Sequence, residues 1–277
     1  MTSLGLTLGC VFIGTGFFST MLYGVTCAQF TYYASHYHAR DGLLLRTFVL
    51  FIWVLDTVVT IADVYILYNY SVDGHGVLTS LEVLPKMFSV EYATVGIAIF
   101  IVQMFYVHGI WHLLPNMRQR WKVACVAFPV SLSVLSAAMA LESLKVIADA
   151  DYNVTKTLAA AVAPTMTKIW SASIADVYVC AVLPWLLYKK KTGLVRTDNT
   201  LHKLIIYLVN RGILLALAQI AICVAYLGSK EKGMLWLIFH CLSGKVYVNS
   251  MMAVLNAREH LRSTRSRSHD VYLTAMK

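Results

Sequence analysis

The sequence predicts an all-α fold: a polytopic membrane bundle of seven transmembrane helices, with the N-terminus outside and the C-terminus cytoplasmic. Three observations carry this expectation. Of the 277 residues, 58% are hydrophobic and only 13% are charged, against about 25% charged in ordinary soluble domains. With a mean hydropathy of +0.66, neither a water-soluble globule nor a disordered chain fits. The apolar residues also gather into seven stretches, each near the roughly 20 residues a helix needs to cross a hydrocarbon core. Finally, the basic residues segregate to alternate connections.

In chain order the stretches cover about residues 6–33, 45–70, 91–113, 122–148, 168–188, 204–227 and 234–256. The first lacks a positively charged leader, since only Met1-Thr2-Ser3 precedes it. It is also longer than the ~7–15 residues of a signal-peptide core, so it is expected to be a true helix. The second runs into the turn-rich Asp73-Gly74-His75-Gly76. The third closes on His108, Trp111 and His112, read as an interfacial anchor. The fourth and fifth contain Pro129 and Pro184, and Lys189-Lys190-Lys191-Thr192-Gly193 ends the fifth. Residues 1–257 form one membrane domain, followed by a basic Ser/Arg-rich cytoplasmic tail, 258–277. Its Arg262-Ser263-Thr264-Arg265-Ser266-Arg267-Ser268 run cannot build a core and is expected to be mobile.

Lys and Arg accumulate on the cytoplasmic side of membrane proteins. With the N-terminus outside, 15 of the 23 fall on inside segments and six on outside ones, while Arg211 and Lys245 lie within helices. The formal charge of +9 is therefore an orientation signal facing anionic inner-leaflet lipid, with the tail as the main contact. It is not a nucleic-acid footprint. Two glycosylation triplets, Asn69-Tyr70-Ser71 and Asn153-Val154-Thr155, fall on the side assigned as outside, with Asn69 close to the bilayer. The expected location is a multi-pass protein of the plasma membrane. All six cysteines lie within the apolar stretches, where they read as packing residues, and no spacing marks a metal site.

Five ionisable residues sit well inside the stretches: Asp56, Asp63, Asp176, Arg211 and Lys245. Each costs about 2.5–3.5 kcal/mol at a helix centre, so they are expected to face the interior and pair. Asp56 and Lys245 each lie about 15 Å from an edge by helical rise, which makes them natural partners. Arg211 lies only about 11 Å from its edge and could snorkel instead. Helical spacing adds Asn249 and Asn256 to the Lys245 face, and Thr60 to the face of Asp56 and Asp63. With Gln103 at mid-depth, these stripes are expected to converge on one midplane polar site of Asp56, Asp176, Lys245, Asn249 and Gln103, with Asp63, Arg211 and Asn256 as accessories. A lysine at the centre of the last of seven helices also raises retinal on Lys245 as a cofactor. No other cofactor is expected.

Several strings go further: Leu22-Tyr23-Gly24-Val25 with Gln29 and Tyr32, Trp53-Val54-Leu55-Asp56-Thr57, Val102-Gln103, Thr192-Gly193-Leu194-Val195-Arg196, Lys245-Val246-Tyr247-Val248-Asn249-Ser250 and Leu255-Asn256-Ala257-Arg258. Together these resemble a large family of basidiomycete fungal seven-helix membrane proteins known only as a domain of unknown function. The resemblance runs over nearly the whole chain and is most specific in the last helix. The chain departs from the family at Val58 and Val59, where a histidine is usual, and at His108-Gly109, where an arginine is usual. The resemblance implies a fold and no activity.

Of the function classes, a receptor-like sensor with a small-molecule ligand or a cytoplasmic partner suits the architecture best. It does so without the Asp-Arg-Tyr or Asn-Pro-x-x-Tyr strings of rhodopsin-like receptors. A transporter or channel using the intramembrane Asp and Lys groups comes second, although no inverted repeat supports it. A structural membrane protein, whose buried pair only fixes packing, comes third. An enzyme is not expected, because no nucleophile–base pair or metal cluster is legible.

Overall fold

In a computed structural model of the chain, residues 2–37, 41–74, 78–114, 118–189, 195–228 and 234–275 are described, with side chains left undescribed for 2–4, 37, 78–79, 195–200, 203 and 257–275. The expected turns at His75-Gly76 and Lys190–Gly193 fall outside the described residues, as do Arg40, Lys230, Glu231 and Lys232. Seven described helices are long and apolar enough to cross a membrane: Gly5–His36, Leu43–Asp73, Met87–Leu113, Gln119–Asp149, Val162–Lys189, Leu204–Gly228 and Leu235–Asn256. They are called helices one to seven below. The only β feature among the described residues is an isolated bridge between Val83 and Asn153. The architecture is that of an all-α, multi-pass integral membrane protein.

Two clusters of buried apolar side chains divide the bundle along its length. One gathers Val11, Ile66, Tyr70, Leu84, Phe88, Ile147, Tyr226 and Trp236. The other gathers Tyr33, Val49, Ile110, Leu187, Leu208 and Leu255. The start of helix one thus shares an end with the helix two–three, four–five and six–seven connections, and the end of helix seven lies opposite. The seven described spans are an odd number, which the expected charge segregation needs.

Helix seven is the hub. In its most apolar window 72% of residues are buried, against 22–50% in the other six, and it packs on helices one, two, three and six. Helix one widens into a π-helical segment over Phe12–Ser19, which places Gly14 on helix seven. A Cβ at Gly14 would come 3.1 Å from the Ile238 Cα. The segment has no proline; π turns are rare and occur mostly as short bulges within α-helices, and here glycine stands at the contact. Helix two likewise ends in a π turn over Asn69–Asp73.

The helices extend past the spans they carry. The helix of the sixth span begins at Val195, ahead of the span at Leu204, and the backbone of helix seven runs unbroken to Ala275. The tail is therefore helical along its backbone. Its Arg, Leu and Ala residues are good helix formers, and they only extend a helix already nucleated by packing.

The close approach at Gly14 gives a paired test. Gly14→Val should destabilise the purified protein by about 1–3 kcal/mol through overpacking. Gly24→Val, where a side chain meets nothing within 4 Å, should melt within a degree or so of the parent.

Candidate functional site

Residues two apart on a helix point in roughly opposite directions, about 200° apart. Lys245 and Tyr247 therefore project from opposite faces of helix seven, and each nucleates a separate polar network.

On the first face, the Lys245 ammonium donates to Asp56 Oδ1 at 2.8 Å, to the Asp56 carbonyl at 3.1 Å and to Thr60 Oγ1 at 2.6 Å. Thr60 in turn donates to the Asp56 carbonyl. Lys245 is 1% exposed, and its three protons have three acceptors. The expected Asp56–Lys245 pair is present. Retinal would have to displace all three bonds to reach this amine, so the geometry offers no support for a Schiff base here.

On the opposite face, Tyr247 donates through its hydroxyl to Asp176 Oδ2, and Asp176 Oδ1 lies 3.5 Å from the Arg211 guanidinium. Arg211 Nε also donates to Ser250 Oγ at 3.0 Å, and its guanidinium carbon stands 4.0 Å from the centre of the Tyr106 ring. Gln219 donates to the Tyr247 hydroxyl and accepts from Ser173. Arg211 does not snorkel: it is buried and neutralises Asp176 in a low-dielectric interior, where an unpaired charge is costly.

A third group lies one turn from Lys245, toward the N-terminal end of the bundle. Asp63 accepts from Ser19 Oγ at 2.5 Å and lies 3.9 Å from Cys241 Sγ. His240 Nε2 lies 3.2 Å from both carboxylate oxygens of Glu91. Ligand atoms of Asp63, Glu91 and Cys241 all fall within 4.8 Å of one another.

Beside this group is a mostly apolar cavity of about 70 Å³ among helices three to seven, room for several waters at the 10–15 Å³ that one requires. It extends from the short helix Val154–Ala160 to Gln219 and Tyr247 at its floor. Phe88, Tyr92, Trp236 and His240 pack as an aromatic wall. Lys168, 9% exposed, places its ammonium 3.7 Å from the centre of the Tyr92 ring, and no carboxylate among the described residues is within ion-pair distance. The Tyr92 hydroxyl, Trp236 Nε1 and Thr157 Oγ1 are buried without hydrogen-bond partners, and all three residues line this cavity.

The single midplane site expected from the sequence is thus divided. Asp56 and Lys245 lie on one side, Asp176 on the other. Gln103 belongs with Asp176: it donates weakly to the Ala172 carbonyl at 3.4 Å. The Asn249 and Asn256 amides donate to the Leu22 and Gln29 carbonyls, tying helix seven to helix one, and Asn249 also donates to the Lys245 carbonyl. Asp63 belongs to the third group. Of the glycosylation candidates, Asn69 lies within helix two, four residues or about 6 Å from its end. Asn153 caps the short helix by accepting from the Lys156 amide. Sequence reasoning missed Glu91, Lys168, His240 and Tyr247. It counted Glu91 and Lys168, the first residues of their stretches, with the outside charges, whereas both are buried in helices that begin at Met87 and Val162. Moving Lys168 into a span leaves five outside Lys and Arg against 15 inside, which sharpens the segregation.

These features define a multi-pass membrane protein whose interior charges are held in separate networks around its last helix. The model of a Family of unknown function (DUF6534) matches residues 172–260, which take in most of helix five and all of helices six and seven. The strings around Lys245 and Asn256 lie inside that match, and those of helices one to three lie outside it. No curated protein and no solved structure matches the chain.

Removing one member of the first network isolates its energy. Lys245→Met should lower stability by about 3–5 kcal/mol by stranding the Asp56 carboxylate, and Asp56→Asn in the same chain should restore much of it in a detergent melt. Incubation with retinal followed by borohydride should leave Lys245 unmodified by mass spectrometry.

Proposed function

We propose that the chain is a receptor-like sensor of the plasma membrane, with its N-terminus outside, and that the cavity beside Lys168 receives a small ligand from the extracellular side. The observation that carries this reading is the cavity's position. Its wall holds a buried cation with no carboxylate partner, and its floor is Tyr247, a member of the Asp176–Arg211 network. A ligand resting on Tyr247 acts on that network through one hydrogen bond, and helix seven continues from it into the basic tail. The tail's arginines suit anionic inner-leaflet lipid or a cytoplasmic partner. A basidiomycete origin rests on the resemblance of the sequence strings.

The lining specifies the chemistry. Aromatic and aliphatic walls favour an apolar body, while Lys168 with the Tyr92 hydroxyl and Trp236 Nε1 favours an acceptor-rich, anionic end. Pockets of this kind bury most of a ligand and orient it by a few polar groups. A small amphipathic carboxylate is the class that satisfies all of them. The transporter reading is supported by the succession of Asp56, Asp63 and Glu91 along one side of helix seven, and it predicts ligand-dependent flux in proteoliposomes where the sensor reading predicts none.

The test is thermal stability of the purified protein against aromatic and short aliphatic carboxylates and their uncharged amides. Carboxylates should raise the melting temperature more than the amides. Lys168→Gln should weaken that effect about tenfold or more, the worth of a charge-assisted hydrogen bond of roughly 1.5–3 kcal/mol. Lys86→Gln, at an exposed lysine of the same end, should not. Equal loss in both variants would mean surface attraction and no site.

A further inference from the structure

The third polar group is not explained by the cavity or by the two ion pairs. Asp56 is neutralised by Lys245 and Asp176 by Arg211. Asp63 and Glu91, both 1% exposed, remain as two carboxylates in one low-dielectric pocket. Among the described residues His240 is the one base within ion-pair distance of either, Lys245 acts on Asp63 only through space from one turn away, and Asp63 has Ser19 Oγ and the Cys241 thiol as donors. Glu91 Oε1 is buried with no hydrogen-bond partner. Two carboxylates this close cannot both stay ionised without a positive charge between them.

We propose that Asp63, Glu91 and Cys241, with His240 at their edge, form a binding site for a divalent transition metal, zinc above all. The donors come from helices two, three and seven, and one ligand atom from each of the first three lies within 4.8 Å of the others. A mixed set of thiolate, carboxylate and imidazole suits Zn²⁺, whereas Ca²⁺ and Mg²⁺ take oxygen ligands. Binding is a simple exchange: the Cys241 Sγ–H bond and the O–H bond of the proton shared by Asp63 and Glu91 break, bonds from the sulfur and both carboxylates to the metal form, and two protons leave to solvent, with no change in oxidation state. With the thiolate and two carboxylates against a dication, the site keeps the same net charge as two carboxylates sharing one proton, so the metal replaces protons without adding buried charge. A metal here clamps helices two and three to helix seven just beyond the Lys245–Asp56 pair. The sequence hides the site because its ligands are 28 and 149 residues apart, so no short motif marks them.

The experiment uses the full chain in nanodiscs, stripped with chelator and titrated with Co²⁺ and then Zn²⁺. One equivalent of Co²⁺ should give intense visible bands of a tetrahedral site together with a thiolate-to-cobalt charge-transfer band, and Zn²⁺ should bleach both. Cys241→Ser should remove the charge-transfer band, and Glu91→Gln should weaken Co²⁺ binding at least tenfold. Cys10→Ser, at the other buried free cysteine, should change neither. Because either site variant could fold poorly, each is compared by its metal-free melting temperature. A well-folded Cys241→Ser protein with the parent's spectrum overturns the proposal. So does a parent that binds no Co²⁺ and loses no metal to chelator, which would leave a shared proton as the neutralising charge.

Discussion

A charge inside a bilayer-spanning bundle must find a partner within a few ångströms, and in this protein that requirement organises the packing around helix seven. Lys245 and Tyr247 are two residues apart and face opposite ways. Each recruits a carboxylate from a different helix, Asp56 from helix two and Asp176 from helix five. Helix seven is thereby fixed in rotation from both sides. A turn of the helix that improved one network would break the other. Asn249 and Asn256 add a third constraint by holding helix one through its carbonyls.

The apolar packing follows from this arrangement. Helix seven is the most buried of the seven, so its residues cannot separate polar from apolar by solvent exposure. They separate by neighbour: Met251, Met252 and Leu255 enter the apolar cluster at one end, and Trp236, Leu237 and Cys241 enter that at the other. The π-helical segment of helix one serves the same end, since it brings Gly14 close to the Ile238 backbone.

The spans themselves were legible in the sequence, because the hydrocarbon thickness sets a length that composition reveals. So was the Asp56–Lys245 pair, by depth. The errors share one cause. Hydropathy does not tell a buried charge near a helix end from one in a connection, which is how Glu91 and Lys168, at the first positions of their stretches, came to be counted with the outside charges. Arg211 lies ~11 Å into the span that begins at Leu204, yet it turns inward because Asp176 and Ser250 offer acceptors there. Tyr247, Gln219 and His240 carry no formal charge at neutral pH and gave no signal. Their roles come from tertiary neighbours on helices three and five, which no periodicity within helix six or seven encodes.

Helix seven separates two charge networks, and a cavity bounded by Lys168 rests on one of them. A density map of the full chain in lipid nanodiscs should show Lys245 bonded to Asp56, Arg211 bonded to Asp176 and Ser250, and non-protein density between Lys168 and Tyr247. A map in which Lys245 reaches Asp176, or in which side chains fill the cavity and Lys168 turns out toward lipid headgroups, would contradict this arrangement.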